Sequence, residues 1–183
     1  MNSLTLSPTW IPTRAHLLLG LLAATLVVAS GWADRAQGIP FTLQMIPVLA
    51  IGLLFSPRQA MATVLGAAAF MALTISAPRI FFTGGFMLGW VLAVGLMAWL
   101  LRGQRDGSHQ GFGALWRAVA AGSLGYGLTW LCGWAWLAYG APQFGATKAW
   151  AVGVAPFLLG APLKLAAAVA VAMALQPRLR RFQ

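Results

Sequence analysis

Acidic residues are almost absent from this sequence. Asp34 and Asp106 are its two carboxylates, against 12 lysine and arginine residues, and the formal net charge is +10. Both acids lie in polar segments between apolar runs, so no carboxylate falls inside a candidate membrane span. A proton-driven pump usually carries an intramembrane carboxylate, and many hydrolases need acid and base carboxylates. The sequence supports neither class, and we expect no enzymatic activity.

Metal ligands and nucleotide-binding motifs are also lacking. The single cysteine, Cys132, excludes an internal disulfide and is expected to be a small buried apolar residue. His16 and His109 lie near the ends of different apolar runs, and there is no HExxH motif, so no metal site is predicted. There is no GxxxxGK[ST] motif, so we expect no ATP on a P-loop and no cofactor.

Charged residues make up 8% of the chain, whereas hydrophobic residues make up 60% and the mean hydropathy is +0.80. This balance is typical of an integral membrane protein that has the lipid bilayer as its surroundings. The basic residues occur singly between apolar runs and form no basic stripe, so nucleic acid is not an expected partner.

The long apolar runs predict helices, because runs of this length without alternation do not form barrel strands. We predict an all-α fold, an integral membrane six-helix bundle formed by residues 1–183 as a single transmembrane domain. The first run could instead be a signal peptide, since Arg14 precedes it and small residues follow its core. The predicted spans are approximately 17–33, 41–55, 59–76, 86–101, 116–138 and 160–175.

Basic residues are distributed unequally between the two sides of these spans. Because loops rich in lysine and arginine stay in the cytoplasm, the richer side is predicted to be cytoplasmic and to carry both termini. That side holds Arg14, Arg58, Arg102, Arg105, Arg117, Arg178, Arg180 and Arg181, and the other side holds Arg35, Arg79 and Lys148.

The last span contains one charge, Lys164. A charge near the centre of a span costs roughly 2.5–3.5 kcal/mol, so such a residue is a functional candidate. Gly160 followed by Pro162 indicates a helix start, which would put Lys164 about one turn inside the N-terminal mouth of the last helix. We expect its amine to contact a ligand there; the alternative is that it extends to the membrane interface.

Further polar residues are predicted on the same, outer side. Arg79 and Lys164 together suit a carboxylate, while Gln44 and Thr83 offer polar contacts. The pair Gly84 and Gly85 would let backbone N–H groups approach a ligand, or would simply end a loop. Nearby aromatic residues would wall an apolar ligand body or pack against lipid and core. These features predict a small, largely apolar molecule with an anionic end, bound from outside.

Four segments resemble motifs of the BioY family, the biotin-specific substrate-capture (S) components of energy-coupling-factor (ECF) transporters. They occur in the family's order and extend over most of the bundle. Ile39–Gln44 followed by Gly52 resembles V-P-x-T-L-Q…G, and Ala77–Phe81 resembles L-P-V-F. Thr83–Gly89 resembles T-G-G-Y-x-x-G, and Gly153–Phe157 with Lys164 resembles G-V-x-P-F…G-D-x-x-K.

The resemblance implies a six-helix bundle of the ECF S-component type in a bacterial inner (cell) membrane, with both termini inside. It implies biotin near the outer face, its carboxylate held by the basic residues. It also implies an ECF transmembrane coupling protein and ATPase subunits as partners, although some members act without them. A homo-oligomer is left open.

This chain departs from the family pattern in the last motif, where Ala161 occupies the position of the acidic residue. Phe82 and Phe86 replace the proline and tyrosine that flank T-G-G. Two alternatives therefore stay beside biotin capture: an S component for another small anionic vitamin, and a non-transporting membrane scaffold subunit that docks other helices.

Overall fold

The computed structural model describes residues 20–25, 43–74, 77–102, 112–141 and 143–180, and this part of the chain is helical without strands. Residues 20–25 form α1, which is the described part of the first predicted span. The remaining helices are α2 (Met45–Leu54), α3 (Pro57–Thr74), α4 (Ala77–Leu100), α5 (Phe112–Gly140), α6 (Gly145–Gly153), α7 (Ala155–Leu158) and α8 (Ala161–Arg180).

Helix α2 is the centre of the bundle. Nine of its ten residues are buried, and it packs against α8, α4, α5 and α3. A helix that is apolar on every side has to be covered on every side, and these neighbours cover it. Helix α2 begins at Met45, which places Pro47 in its first turn. There its missing N–H breaks no helical hydrogen bond.

Helices α4 and α5 form the most extensive helix pair. They meet through glycines: a side chain at Gly89 would lie 2.8 Å from the Thr129 Cα, and one at Gly85 would lie 2.9 Å from the Cys132 carbonyl oxygen. Small residues at such positions allow two backbones to approach closely. The two helices run antiparallel, because Gly85 faces the C-terminal part of α5 whereas Gly125 faces Met97.

The chain after α5 is interrupted twice. Val154 separates α6 from α7, and Leu159 and Gly160 separate α7 from α8. The axis bends by 52° between the segment Gly145–Leu158 and the segment Ala161–Pro177. The predicted spans 116–138 and 160–175 left residues 139–159 outside the helices, whereas α5 continues to Gly140 and α6 already begins at Gly145.

By length and composition, one described helix could cross a membrane, Phe81–Leu100. The bent pair around the α7–α8 break would be a second candidate if it is a single span, and α2 is a shorter apolar helix. Large apolar side chains point outward at several places, including Leu73 on α3 at 87% exposure and Leu159 in the α7–α8 break at 93%. An apolar outer surface of this kind suits a lipid environment.

Candidate functional site

Lys164 lies in the first turn of α8, which begins at Ala161. The helix start predicted from Gly160 and Pro162 is confirmed: the Gly160 carbonyl accepts the Lys164 backbone N–H at 3.1 Å, and Pro162 lies in the first turn. The lysine side chain is 3% exposed. A lysine that extends to an interface keeps its amine in water, so this burial favours an internal role.

The sequence predicted that Lys164 lies near the outer mouth of the last helix, but in the structure it lies deeper in the bundle. Helices α6 and α7 precede α8 directly, so α8 starts at a break within a bent helical arm. Leu165 packs against Gly122, which comes 18 residues before the end of α5, about 27 Å along its axis. The start of α8 therefore lies well below the end of α5. Pro156, Gly160 and Pro162 explain this position of Lys164. They interrupt the helix, but the chain continues in the next helical segment.

The amine of Lys164 reaches back towards α7. Its Nζ lies 5.9 Å from the centre of the Phe157 ring, within the range of a cation–π interaction. A helical side chain points towards the N-terminus of its helix, which directs this lysine away from the lower half of α8. The ammonium group of Lys164 therefore lies on the side of α8 that faces α7.

Gln44 and Thr83 lie at the same end of the bundle. Helices α2, α3 and α4 are joined by two-residue links, so α2 and α4 run in the same direction. Gln44 occupies the N-cap position of α2, and Thr83 lies in the second turn of α4; both side chains are partly buried. Trp136 near the end of α5 packs beside Gly84. We call this end, marked by Gln44, Thr83 and Trp136, the upper end.

Arg79 lies in the first turn of α4, also at the upper end, but its side chain is outside the described part of the structure. Its predicted pairing with Lys164 therefore stays a prediction.

The pair Gly84 and Gly85 lies inside α4, which begins at Ala77, so these glycines do not end a loop before a span at 86–101. Within a helix the backbone N–H groups donate to carbonyls one turn earlier, and they do not face a ligand. The glycines instead accommodate the Trp136 side chain: a Cβ at Gly85 would overlap the Trp136 Cβ, and one at Gly84 would lie 3.5 Å from its ring. Their role in this structure is to let α5 approach α4.

Trp136 is the residue of this region that sequence reasoning missed. Its indole Nε1 donates a hydrogen bond of 2.6 Å to the Phe81 carbonyl, and the two rings lie 6.2 Å apart. This bond joins the end of α5 to the start of α4. The signal that could have revealed it is the Gly85-xxx-Gly89 spacing, which marks a helix-packing face.

The aromatic residues considered as ligand walls divide into different environments. Trp90 is buried at 4% exposure and belongs to the main core, while Trp150 is half exposed. Phe86 packs against Gly133 and Gly153. Phe82 meets the Phe144 ring edge-on at 5.4 Å. Trp90 is thus explained by core packing.

The charged side chains in the described part of the chain are all basic. They include Lys164 and Lys148, whereas Asp34 and Asp106 both lie outside this part. No group of histidine, cysteine, aspartate and glutamate within the described ranges could hold a metal ion. The buried charge of Lys164 and the partly buried polar side chains of Gln44 and Thr83 are groups that suit an anionic organic molecule.

Comparison with known proteins gives two findings. The model of the BioY family matches residues 2–181. The structure is similar to the crystal structure of the S-component for biotin from an ECF-type ABC transporter, with a TM-score of 0.68 and 17% sequence identity over 92% of this chain and 91% of that one. No curated protein sequence matches the chain. The likeness supports an all-α fold of the S-component type.

Proposed function

Because the chain belongs to the BioY family, as its four segments predicted, we propose that it is the substrate-capture subunit of a biotin uptake transporter. The observation that carries the proposal is the burial of Lys164 at the start of α8. Burying an ammonium group in an apolar bundle is costly, so a lysine in this position is a functional candidate. Biotin offers the matching group, a carboxylate on a short aliphatic chain.

Lys164 would bind this carboxylate as a point charge, with Arg79 as the second cation of the predicted pair. Gln44 and Thr83 would make the polar contacts to the ureido ring from the N-terminal parts of α2 and α4. Gly84 and Gly85 enter the proposal indirectly, because they allow Trp136 to close the α4–α5 side of the upper end. The tetrahydrothiophene ring and the aliphatic chain of biotin would lie against the surrounding apolar side chains.

The transport step would draw energy from other chains, since this sequence has no P-loop. We propose an ECF transmembrane coupling protein and ATPase subunits as the partners, with facilitated transport as the outcome where the chain acts alone. The protein would lie in the bacterial inner membrane with both termini cytoplasmic and the upper end outside. A homo-oligomer would be compatible with either mode.

Isothermal titration of the purified protein tests the substrate directly. We expect saturable heat with biotin at a 1:1 ratio. Heat with a different anionic vitamin, and none with biotin, would replace the substrate but keep the S-component role. No heat with any of them would favour the scaffold alternative.

Uptake of radiolabelled biotin by cells that express only this chain then separates transport from capture. Accumulation above cells carrying the empty vector supports transport without partners. Binding without accumulation supports dependence on the coupling protein and ATPases.

A further inference from the structure

Two lysines of this chain lie over phenylalanine rings, and their surroundings are opposite. Lys148 lies 5.3 Å from the Phe144 ring and is exposed. Lys164 lies 5.9 Å from the Phe157 ring and is buried. An exposed ammonium is stabilised mainly by water, so a ring adds little to it, whereas a desolvated ammonium gains much more from the same contact.

We propose that Phe157 is a positioning residue that holds the Lys164 ammonium at the ligand position with its charge intact. This inference rests on the proposed function, because it concerns the reception of a carboxylate by Lys164. An aromatic face attracts a cation through its quadrupole but carries no net charge. It therefore stabilises the empty site without neutralising the charge that an incoming carboxylate requires.

The local sequence makes this contact possible. A lysine side chain in a helix lies over the residues three and four positions earlier, which here are Gly160 and Ala161. Both are small and buried, so they leave a path along which the lysine reaches Phe157, seven residues before it. The first turn of α8 contains no acidic residue. The α7–α8 break supplies the change in direction that an uninterrupted helix would lack.

The test compares biotin with biotin methyl ester, which has the same rings and chain but no negative charge. The ratio of the two affinities reports the charge contact, and it is insensitive to any loss of folded protein. For the wild type we expect biotin to bind roughly 10–100-fold more tightly than the ester, the range for hydrogen bonds to charged groups. Lys164→Met should lower the ratio strongly, leaving the part of the charge preference that Arg79 supplies.

Phe157→Leu keeps an apolar side chain of similar reach but removes the ring. We expect it to lower the biotin-to-ester ratio about threefold to tenfold, in line with a partly desolvated cation–π contact. Phe157→Tyr retains the ring face and should restore the wild-type ratio. The matched control is Phe144→Leu, which removes a ring from the exposed Lys148 and should leave the ratio unchanged.

A Phe157→Leu variant that weakens both ligands equally would overturn the proposal, because the ring would then be a packing element only. A Phe157→Leu variant that binds both ligands as tightly as the wild type would overturn it as well, while leaving the proposed function intact. A wild type that binds neither ligand would refute the proposed function first, and the role of Phe157 with it.

Discussion

The α4–α5 pair and the α6–α7–α8 arm differ in how their helices are built and packed. In the pair, two long helices meet backbone to backbone through glycines. The buried Thr129 hydroxyl donates to the Gly125 carbonyl of its own helix at 3.0 Å. In the arm, the helix is interrupted twice and carries the buried charge. We therefore expect substitutions in the pair to act mainly on stability and substitutions in the arm to act mainly on ligand binding.

The largest effect on stability is expected at Gly85. Gly85→Ala would place a methyl group against the Trp136 Cβ and 2.9 Å from the Cys132 carbonyl oxygen, so α4 and α5 would have to move apart. Overpacking of this kind costs about 1–3 kcal/mol. Gly84→Ala is the control, because its methyl group would lie 3.5 Å from the Trp136 ring, an ordinary contact.

Thermal unfolding in detergent measures this difference. We expect the Tm of Gly85→Ala to fall by about 2–4 °C for each kcal/mol lost, and that of Gly84→Ala to change little. Equal Tm values for the two variants would show that the α4–α5 contact is adaptable.

Lys164→Met should produce the opposite pattern. Methionine has a similar length and no charge, so the cost of burying an ammonium disappears and the ligand-free protein should be unchanged or stabilised by about 1 kcal/mol. Biotin affinity should fall roughly 10–100-fold, since the carboxylate loses its charged donor. Tm and titration on the same preparation measure both quantities. A Tm loss as large as that of Gly85→Ala would mean that Lys164 supports the fold.

The sequence predicted the start of α8 because the signals are local. Gly160 and Pro162 act within one turn, and the structure has α8 from Ala161. The family was predicted as well, because four short motifs in order are specific even where each alone is weak. The overall identity to the similar solved structure is only 17%.

The packing role of Gly84 and Gly85 could not be predicted from local sequence signals. A glycine pair after Pro78 has the composition of a loop, and only the partner helix shows that it is a packing face. The partner is Trp136, 51 residues beyond Gly85, and no local pattern connects them. Pro78 was the local signal for an earlier start of α4, because proline is common in the first turn of a helix. In the structure it is the second residue of α4.

Trp136→Phe is expected to have a smaller effect on the α4–α5 pair than Gly85→Ala. Phenylalanine keeps an aromatic ring over the glycines but cannot donate to the Phe81 carbonyl. The net loss of one hydrogen bond is about 1 kcal/mol, and the biotin-to-ester ratio should not change. Thermal unfolding measures the loss of stability, and titration with biotin and its methyl ester measures the ratio. A change in the ratio would place Trp136 in contact with the ligand charge.

The smallest effect is expected for Lys148→Gln. Lys148 is exposed and lies over the Phe144 ring, so water already stabilises its charge in the absence of that contact. Removing the charge should change biotin affinity by less than about twofold and leave the Tm nearly constant, in line with the small worth of an exposed cation–π pair. Titration at low and high salt distinguishes direct contact from long-range attraction, because salt screens only the latter strongly. If Lys148→Gln weakened biotin binding as much as Lys164→Met at high salt, α6 would contact the carboxylate together with the start of α8.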